Sequence, residues 1–325
     1  MRRMMRAISS FNGRELTLAG ALLIALLIFS AASPYFATTD NLATVLRNCV
    51  ELLLVGLGMT LLIAMGAIDV SVGMAMGLAA IVVGRLLAAD VNPALVAISG
   101  PIVGGLFGLF TATIVVIGRI PAIVGTLGLL GFYRTAIFLS LGGEWLSGLP
   151  TRLTAMLSTS VGGAPVSVIV ILITYLAVWL AIRRMPYGLH LLAIGNSEEK
   201  ARLSGVAVTR VRFAAFVISG FLCGLAATFY VSTYRNVEMT IGSSLALDAI
   251  AAVVLGGTSV LGGHCSLIGT VLGVVLLRVL QNGLLLIGVP SLWQTVVTGG
   301  LLLIILVAEV ASGRFAIQSL RWGVR

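Results

Sequence analysis

Apolar runs of about twenty residues recur along the whole chain and limit its possible folds more than any other feature. A helix needs about 20 apolar residues to cross the hydrocarbon core of a bilayer. Ten runs are predicted to be spanning helices: 15–33, 48–67, 70–89, 94–117, 121–141, 164–183, 213–233, 246–262, 266–288 and 292–311. The sequence therefore predicts an all-α polytopic membrane protein with about ten transmembrane helices, in which residues 1–325 form a single transmembrane domain.

The composition supports a protein whose surface lies mostly in lipid. Hydrophobic residues make up 59% of the chain and charged residues only 10%, whereas a soluble domain carries about a quarter charged residues. The 39 glycines agree with this interpretation, because small residues let helix backbones approach one another closely in a membrane.

The formal net charge of +9 indicates orientation in the membrane rather than nucleic-acid binding. Counting from a cytoplasmic N-terminus, Arg119, the stretch 184–212 and the arginines of the C-terminal tail all fall on the inner side. Short cytoplasmic connections carry an excess of Lys and Arg. We therefore predict that both termini are cytoplasmic, that the lipid bilayer surrounds the chain, and that no nucleic acid is bound.

The N-terminal stretch MRRMMRAISSFNGRELTLAGALLIALLIFSAAS has two interpretations. Basic residues, an apolar core and small residues near Ala31 to Ser33 are typical of a secretory signal peptide. An uncleaved first span is favoured, because further spans follow and the apolar run from Leu16 is long for a signal peptide.

The chain lacks the residue patterns of a catalytic or nucleotide-binding protein. It has no Gly-x-Ser-x-Gly motif and no phosphate-binding loop, since its one lysine, Lys200, follows Ser-Glu-Glu. Three cysteines without paired spacing and two isolated histidines indicate neither a disulfide framework nor a metal site. We expect a non-catalytic chain that binds no cofactor, metal or ATP by itself.

Polar side chains within the predicted spans are candidates for a solute pathway, because they are costly to place in lipid. Arg278, Gln281 and Asn282 are three and four residues apart and share one face of the ninth span. They either line a pathway or join helices by hydrogen bonds, and the sequence leaves both alternatives open. Asn48 and Glu51 lie near the outer end of the second predicted span, where a position at the membrane rim is favoured.

Two breaks between spans are rich in small residues: GAIDVSVG at 66–73 and GGTSVLGG at 256–263. In the first, Asp69 and Ser71 are expected to cap the third span through a side-chain oxygen, and the alternative is a gating or solute-contacting role. The likeness of the two breaks is a weak sign of internal duplication, with close helix packing as the other explanation.

Several stretches together resemble the membrane permease subunits of bacterial ABC importers for simple sugars of the ribose, xylose and arabinose class. They are GAIDVSVG, GNSEEKARLSGVAVTRVR, LDAIAAVVLGGTSVLGG and GTVLGVVLLRVLQNGLLLIGVPSLWQTVVTGG, in that order. The resemblance extends from about residue 40 to 310. Residues 119–150, RIPAIVGTLGLLGFYRTAIFLSLGGEWLSGLP, are most similar to permeases of autoinducer-2 import systems.

The resemblance implies uptake of autoinducer-2 or a related small sugar, with a ribose- or rhamnose-type solute as the alternative. It implies a fold similar to the vitamin B12 permease in the bacterial inner membrane. The implied partners are ABC ATPase subunits that hydrolyse ATP, a second permease subunit that is a paralogue or another copy, and a periplasmic substrate-binding protein. The candidate pathway residues are Asp69, Ser71, Arg278, Gln281, Asn282 and Trp293.

The resemblance also suggests a role for the charged segment at about 184–212, because a separate ATPase must act on the permease through a cytoplasmic contact. In NSEEKARLSG, Asn196 or Ser197 can cap a short helix that ends before Gly205. The predicted coupling residues are Asn196, Ser197, Glu198, Glu199, Lys200, Arg202, Leu203 and Gly205. Ala201 and Leu203 are expected to enter a groove of the ATPase, and an ordinary solvated helix is the alternative.

An ion-coupled secondary transporter is the alternative from a different class of protein. Such a carrier more often has a carboxylate deep within a span, paired with Arg or His. Glu51, Asp69 and Asp248 all fall near the ends of predicted spans. The sequence therefore favours the permease of an ABC importer.

Overall fold

The computed structural model describes residues 13–290 and, after these, residues 293, 294, 296, 297, 299, 300, 303 and 307. Its α-helices are α1 Gly13–Ala32, α2 Thr39–Ala64, α3 Val72–Ala88, α4 Pro93–Ala112, α5 Ala122–Leu141, α6 Arg152–Ser158, α7 Val166–Arg183, α8 Pro186–Asn196, α9 Glu198–Leu203, α10 Val208–Tyr234, α11 Leu245–Leu255 and α12 Leu267–Leu286. A π-helix, Thr113–Ile117, continues α4. Two short strands, β1 Ser160–Val161 and β2 Ala164–Pro165, pair as an antiparallel hairpin.

Seven helices in this part of the chain are long and apolar enough to cross a membrane: α1, α2, α4 with its π-helix, α5, α7, α10 and α12. Two further apolar helices, α3 and α11, are shorter, with 17 and 11 residues. The prediction of a polytopic helical membrane protein is confirmed, and these nine helices correspond to the first nine predicted spans. Of the tenth predicted span, 292–311, the structure describes only residues 293, 294, 296, 297, 299, 300, 303 and 307.

Two of these helices differ in extent from the predicted spans. α2 begins at Thr39 rather than at 48, because the Thr38 hydroxyl oxygen caps it by accepting a hydrogen bond from the Asn41 N–H at 3.3 Å. α11 ends at Leu255 rather than at 262, because Gly257 follows with a φ of 93°. A positive φ is readily adopted by glycine and does not continue a right-handed helix.

α4 and α10 pack closely because glycines on both helices face each other. A Cβ atom added at Gly100 would lie only 2.6 Å from the Gly224 carbonyl oxygen. One added at Gly104 would lie 2.3 Å from the Gly220 carbonyl oxygen. On each helix the two glycines are four residues apart, so both lie on one helix face. This close backbone contact is the packing that the glycine content predicts.

α1 is an integral helix of the bundle. The Phe29 ring packs against Gly283 of α12, where an added Cβ atom would lie 2.4 Å from the ring. At the other end of α1, the Glu15 carboxylate accepts a hydrogen bond from the hydroxyl of Ser266, the residue that caps α12. These contacts join both ends of α1 to α12.

Residues 235–244, between α10 and α11, form turns rather than a helix and run along α3. Val237 contacts Gly84 near one end of α3, and Gly242 contacts Gly73 near the other end. Val237 and Ile241 are buried. Non-helical backbone at membrane depth occurs only where protein buries it or where it lines a cavity. We call residues 235–244 the re-entrant segment.

Candidate functional sites

A polar cavity of about 230 Å³ lies beside the re-entrant segment. Its walls come from α2, α3, α10, α11, α12 and the re-entrant segment itself. Among the described residues, the charged side chains that line it are Glu51, Glu238, Asp248 and Arg278, and hydroxyl groups come from Thr240, Ser243 and Ser244. A cavity with these side chains offers hydrogen-bond donors and acceptors within a bundle of apolar helices.

Arg278 on α12 is the centre of a hydrogen-bond network at this cavity. Its Nη2 forms an ion pair with Glu51 Oε1 on α2 at 2.8 Å, and its Nη1 donates to Gln281 Oε1 at 3.0 Å. Gln281 Nε2 in turn donates to Asp248 Oδ2 on α11 at 3.4 Å. The Arg278 and Glu51 side chains are only 16% and 13% exposed, so removal of either would leave a buried charge without its partner.

Two atoms of this ion pair have no hydrogen-bond partner in the described part of the chain: Glu51 Oε2 and Arg278 Nε. Buried polar atoms are nearly always satisfied by protein groups or by ordered water. Both atoms are buried from solvent, so within the described residues they are exceptions to this rule.

The three polar residues predicted on one face of α12 have different contacts. Arg278 lines the cavity, and Gln281 connects it to Asp248. Asn282 exchanges two hydrogen bonds of 3.0 Å with Asn41 on α2. Both alternatives raised by the sequence, cavity lining and interhelical bonding, are therefore present on this face. Trp293, another predicted pathway residue, is 58% exposed and does not line this cavity.

Glu51 does not lie at the membrane rim, so that prediction is wrong. It occupies the middle of α2, and its side chain is largely buried against Arg278. The polar residues in the first half of α2 suggest a position at the membrane rim, because the sequence does not show which residues they contact. Asn48, for example, accepts a hydrogen bond from the Tyr234 hydroxyl of α10 at 2.9 Å.

Asp69 fixes the start of α3, as the structural alternative predicts. Its Oδ1 accepts hydrogen bonds from the Ser71 backbone N–H at 2.8 Å and from the Ser71 hydroxyl at 2.6 Å. The Ser71 side chain itself caps no N–H of α3. The Val70 N–H donates to Thr126 Oγ1 on α5 at 3.2 Å. Asp69 and Ser71 are buried and do not line the cavity, and a gating role for them stays a prediction.

The charged segment folds into α8 and α9, with α9 capped as the sequence predicts. Ser197 is the N-cap, and its Oγ accepts a hydrogen bond from the Lys200 N–H at 3.3 Å. Asn196 is instead the last residue of α8. Gly205 follows the helix with a φ of 83°. Local capping signals therefore located this helix correctly.

The surface of α9 carries most of the predicted coupling residues. The exposed ones are Glu199, Lys200, Arg202 and Leu203, with Asn196 before the helix and Gly205 after it. Leu203 is 83% exposed, which is unusual for so large an apolar side chain. Ala201 is only 3% exposed and packs within this chain, so the prediction that it enters a groove of a partner is wrong.

Glu198 connects α9 to the following helix. It forms ion pairs with Arg202 at 2.9 Å and with Arg212 on α10 at 2.8 Å. Because both its carboxylate oxygens are engaged within the chain, Glu198 holds α9 in place rather than presenting a free charge.

The end of α8 meets α2 and the turn before α12 at a contact made by backbone atoms. The Gly263 N–H donates to the Ala64 carbonyl oxygen at the end of α2, at 2.9 Å. A Cβ atom on Gly195 would lie 2.1 Å from that oxygen and 2.3 Å from Gly263 N. Asn196 Nδ2 donates to the Gly263 carbonyl oxygen at 3.5 Å. We call Ala64, Gly195, Gly262 and Gly263 the glycine junction.

The two glycine-rich breaks seen in the sequence contact each other at this junction. A Cβ atom on Gly262, in the second break, would lie 3.1 Å from the backbone nitrogen of Gly66 in the first. The breaks therefore lie on the same side of the bundle, as the span count predicts, and close packing accounts for their small residues.

Comparison with known proteins decides the family. The profile of the family described as branched-chain amino acid transport system / permease component matches residues 41–306. The chain belongs to this permease family.

Similar curated permeases cover most of this chain. The autoinducer 2 import system permease protein LsrC of Enterobacter sp. (strain 638) is 36% identical over 92% of this chain and 87% of its own length. The ribose import permease protein RbsC of Bacillus subtilis (strain 168) is 33% identical over 87% of this chain and 88% of its own. The autoinducer 2 import system permease protein LsrD of Escherichia coli O9:H4 (strain HS) is 33% identical over 92% and 93%. No solved structure matches the chain.

The residues that sequence reasoning missed belong mainly to the re-entrant segment. Glu238 lies beside the cavity because this segment turns back into the bundle, and the sequence offers only the run TIGSS between two apolar stretches as a sign of it. Runs of Gly, Ser and Thr usually mark a surface loop, so the signal was ambiguous.

Proposed function

We propose that this chain is the permease subunit of an ATP-driven importer that takes up autoinducer-2 or a related small sugar. Its similarity to permeases named for autoinducer 2 and ribose, at 36% and 33% identity over most of the chain, carries the proposal. The family description names branched-chain amino acids, but a cavity lined by four charged side chains suits hydroxyl groups better than an aliphatic side chain. ATP is hydrolysed by separate subunits, and this chain is non-catalytic and binds no cofactor.

The proposed arrangement has ten transmembrane helices in a vitamin-B12-permease-like fold, as one domain with both termini cytoplasmic, in the bacterial inner membrane. Nine apolar helices in the described residues support the count, and the predicted span at 292–311 would supply the tenth. Arg183, at the end of α7, lines a crevice together with Gly263 of the glycine junction. Residues 183–212 contain six basic and two acidic side chains, and this excess of positive charge supports a cytoplasmic location for this end of the bundle.

The importer also needs a second permease subunit, ATPase subunits and a periplasmic substrate-binding protein. Escherichia coli O9:H4 (strain HS) has both an LsrC, 34% identical to this chain, and an LsrD, 33% identical. Since two permeases of one named import system resemble this chain about equally, a paralogous partner is the expected second subunit, and a second copy of this chain is the alternative.

The coupling surface in this proposal is the exposed side of α9, with Glu199, Lys200, Arg202 and Leu203 in contact with the ATPase. A displacement of α8 and α9 would be transmitted to the cavity by two helices, α2 and α12. α2 carries Ala64 at the glycine junction and Glu51 at the cavity, and α12 carries Arg278 and follows the turn that holds Gly263. The thirteen residues from Glu51 to Ala64 span roughly 20 Å of rigid helix at about 1.5 Å per residue, which connects the surface with the cavity.

Charge reversal on α9 tests this coupling surface. Glu199→Lys or Arg202→Glu is expected to uncouple ATP hydrolysis from uptake while the subunit still inserts and assembles. Glu144→Lys, an exposed glutamate between α5 and α6, is the matched control. Coupled transport at the normal rate in both α9 variants would contradict the proposed contact.

The substrate is tested by reconstituting the chain with its ATPase, second permease and binding protein in proteoliposomes. Autoinducer-2 is expected to stimulate ATP hydrolysis more than ribose or rhamnose, and leucine is expected to have no effect. Stimulation by ribose alone would overturn the choice of autoinducer-2, and stimulation by leucine alone would overturn the sugar class.

A further inference from the structure

We propose that the polar cavity beside the re-entrant segment binds one neutral polyhydroxylated solute and that its carboxylates exclude anionic solutes. This inference rests on the proposed function, to which it adds a site within the membrane and a charge selectivity.

The cavity lies where a non-helical segment meets the start of a short helix, α11. α11 has 11 residues, too few to cross a bilayer, and it follows the non-helical re-entrant segment. The N-terminal residues of α11 and the preceding Ser243 and Ser244 line the cavity. Unwound backbone and half-helix ends within a membrane commonly form the solute sites of transporters, and here they coincide with a polar cavity.

The volume suits a small solute. A water molecule takes about 30 Å³ of liquid, so the cavity of about 230 Å³ has room for roughly eight water molecules or one small sugar in their place.

The lining groups match hydroxyl groups, which both donate and accept hydrogen bonds. Acceptors are the carboxylates of Asp248 and Glu238. Donors are the hydroxyl groups of Thr240, Ser243 and Ser244. A ring of vicinal hydroxyl groups can use donors and acceptors at once, whereas an aliphatic side chain would leave them unsatisfied at a cost of about 1–3 kcal/mol for each buried group.

The charges of the described lining disfavour an anion. Three carboxylates, Glu51, Glu238 and Asp248, face one guanidinium group, and that group is already paired with Glu51. Arg278 is therefore not free to neutralise a phosphate or a carboxylate, and such a group would be placed near carboxylates of the same charge. Like charges at close range discriminate strongly in a site of low dielectric constant.

Protection of an introduced cysteine tests the site directly. The variant Ser243→Cys supplies the reactive thiol. Cys265→Ser removes the partly exposed native thiol, and Cys49 and Cys223 are buried. Labelling of the introduced thiol by a small water-soluble thiol reagent is measured in the reconstituted permease–ATPase complex without binding protein. Ribose and autoinducer-2 at millimolar concentration are expected to slow labelling several-fold, and ribose 5-phosphate is expected to leave it unchanged. Ser167→Cys, in a separate crevice between α2, α7 and α10, is the control that no solute protects.

Removal of the carboxylate charges tests the selectivity. The changes Asp248→Asn and Glu238→Gln, which keep the shape of both side chains, are added to the Ser243→Cys variant. Ribose 5-phosphate is then expected to slow labelling of the introduced thiol several-fold. Equal protection by ribose and ribose 5-phosphate before these two changes, or protection by a cationic solute such as choline alone, would overturn the charge selectivity.

The outcomes for the site and for the proposed function can be told apart. If sugars are taken up at normal rates and no solute protects Ser243→Cys, the cavity is not the site, although the importer function stands. If sugars protect Ser243→Cys but none stimulates ATP hydrolysis in the complete system, the site stands and the importer function is wrong.

Discussion

Replacement of Gly195 by alanine tests whether the glycine junction transmits movement from α8 to the bundle. The added Cβ atom would lie 2.1 Å from the Ala64 carbonyl oxygen and 2.3 Å from the Gly263 nitrogen. Both neighbours are backbone atoms, so neither can rotate away as a flexible side chain would. The end of α8 must therefore move roughly 1 Å or more from α2 and from the turn before α12 to restore ordinary contact distances.

The expected cost follows from three contributions. Overpacking of this kind costs about 1–3 kcal/mol, and loss of the hydrogen bond from Gly263 to Ala64 adds about 0.5–1.5 kcal/mol. Alanine stabilises a helix by about 1 kcal/mol relative to glycine, which offsets part of the loss at this position in α8. The net decrease in the free energy of unfolding is expected to be about 0.5–3.5 kcal/mol.

The assay compares stability and coupling in the same preparation. Gly195→Ala is expected to lower the unfolding temperature in detergent and to reduce solute uptake per ATP hydrolysed, because α8 no longer contacts both α2 and the turn at Gly263. Gly105→Ala on α4, where nothing lies within 4 Å of the added Cβ atom, is the matched control. Normal stability and normal coupling in Gly195→Ala would refute the proposed role of the junction.

Three further variants test individual contacts. Glu51→Gln is expected to lower the free energy of unfolding by about 3–5 kcal/mol, because it leaves Arg278 buried without its partner. Addition of Arg278→Met should restore much of the melting temperature. No restoration would contradict the pairing. Asp69→Ala should cost about 1–2 kcal/mol by removing a capping oxygen, whereas Asp69→Asn keeps an acceptor and should cost less; equal losses in thermal unfolding would argue against capping. Glu198→Gln should increase hydrogen exchange in α9 with a change of less than about 1 kcal/mol in stability, and unchanged exchange would show that Glu198 does not hold α9.

The sequence predicts the helices of this fold because the bilayer imposes their length, and it fails where distant residues satisfy polar groups. Asn41 and Asn282 are 241 residues apart in the chain, and the hydrogen bonds between their side chains join α2 to α12. The short helix α9 was located correctly because Ser197 and the Lys200 N–H that it accepts from are only three residues apart. Local signals therefore defined helix ends better than composition did.

The candidate site was predicted only in part for the same reason. Arg278 and Gln281 share a helix face by their spacing alone, and the structure brings them together with a hydrogen bond of 3.0 Å. Glu51 and Asp248 reach them from other helices. Such contacts depend on how α2 and α11 pack against α12, which no pattern within one segment can specify.

The Glu51–Arg278 ion pair bears directly on how transport is driven. A carboxylate deep in a span and paired with arginine is the feature expected of an ion-coupled carrier, and the structure has such a pair. Membership of the permease family favours ATP as the energy source, and in that case Glu51 serves the structure of the cavity and carries no proton. Uptake into proteoliposomes should then be insensitive to a protonophore and should stop when the ATPase subunit is catalytically inactive.

A matched pair of variants completes this test. Glu51→Gln and the exposed control Glu144→Gln each remove one carboxylate charge, but only Glu51 is buried against a guanidinium group. If transport is driven by ATP, any uptake that remains in Glu51→Gln should keep the same insensitivity to the protonophore as the unmodified chain. Three results together would overturn the ATP-driven proposal. Uptake would continue with an inactive ATPase, it would collapse with the protonophore, and it would disappear in Glu51→Gln but not in Glu144→Gln. Glu51 would then be the group that binds the coupling proton.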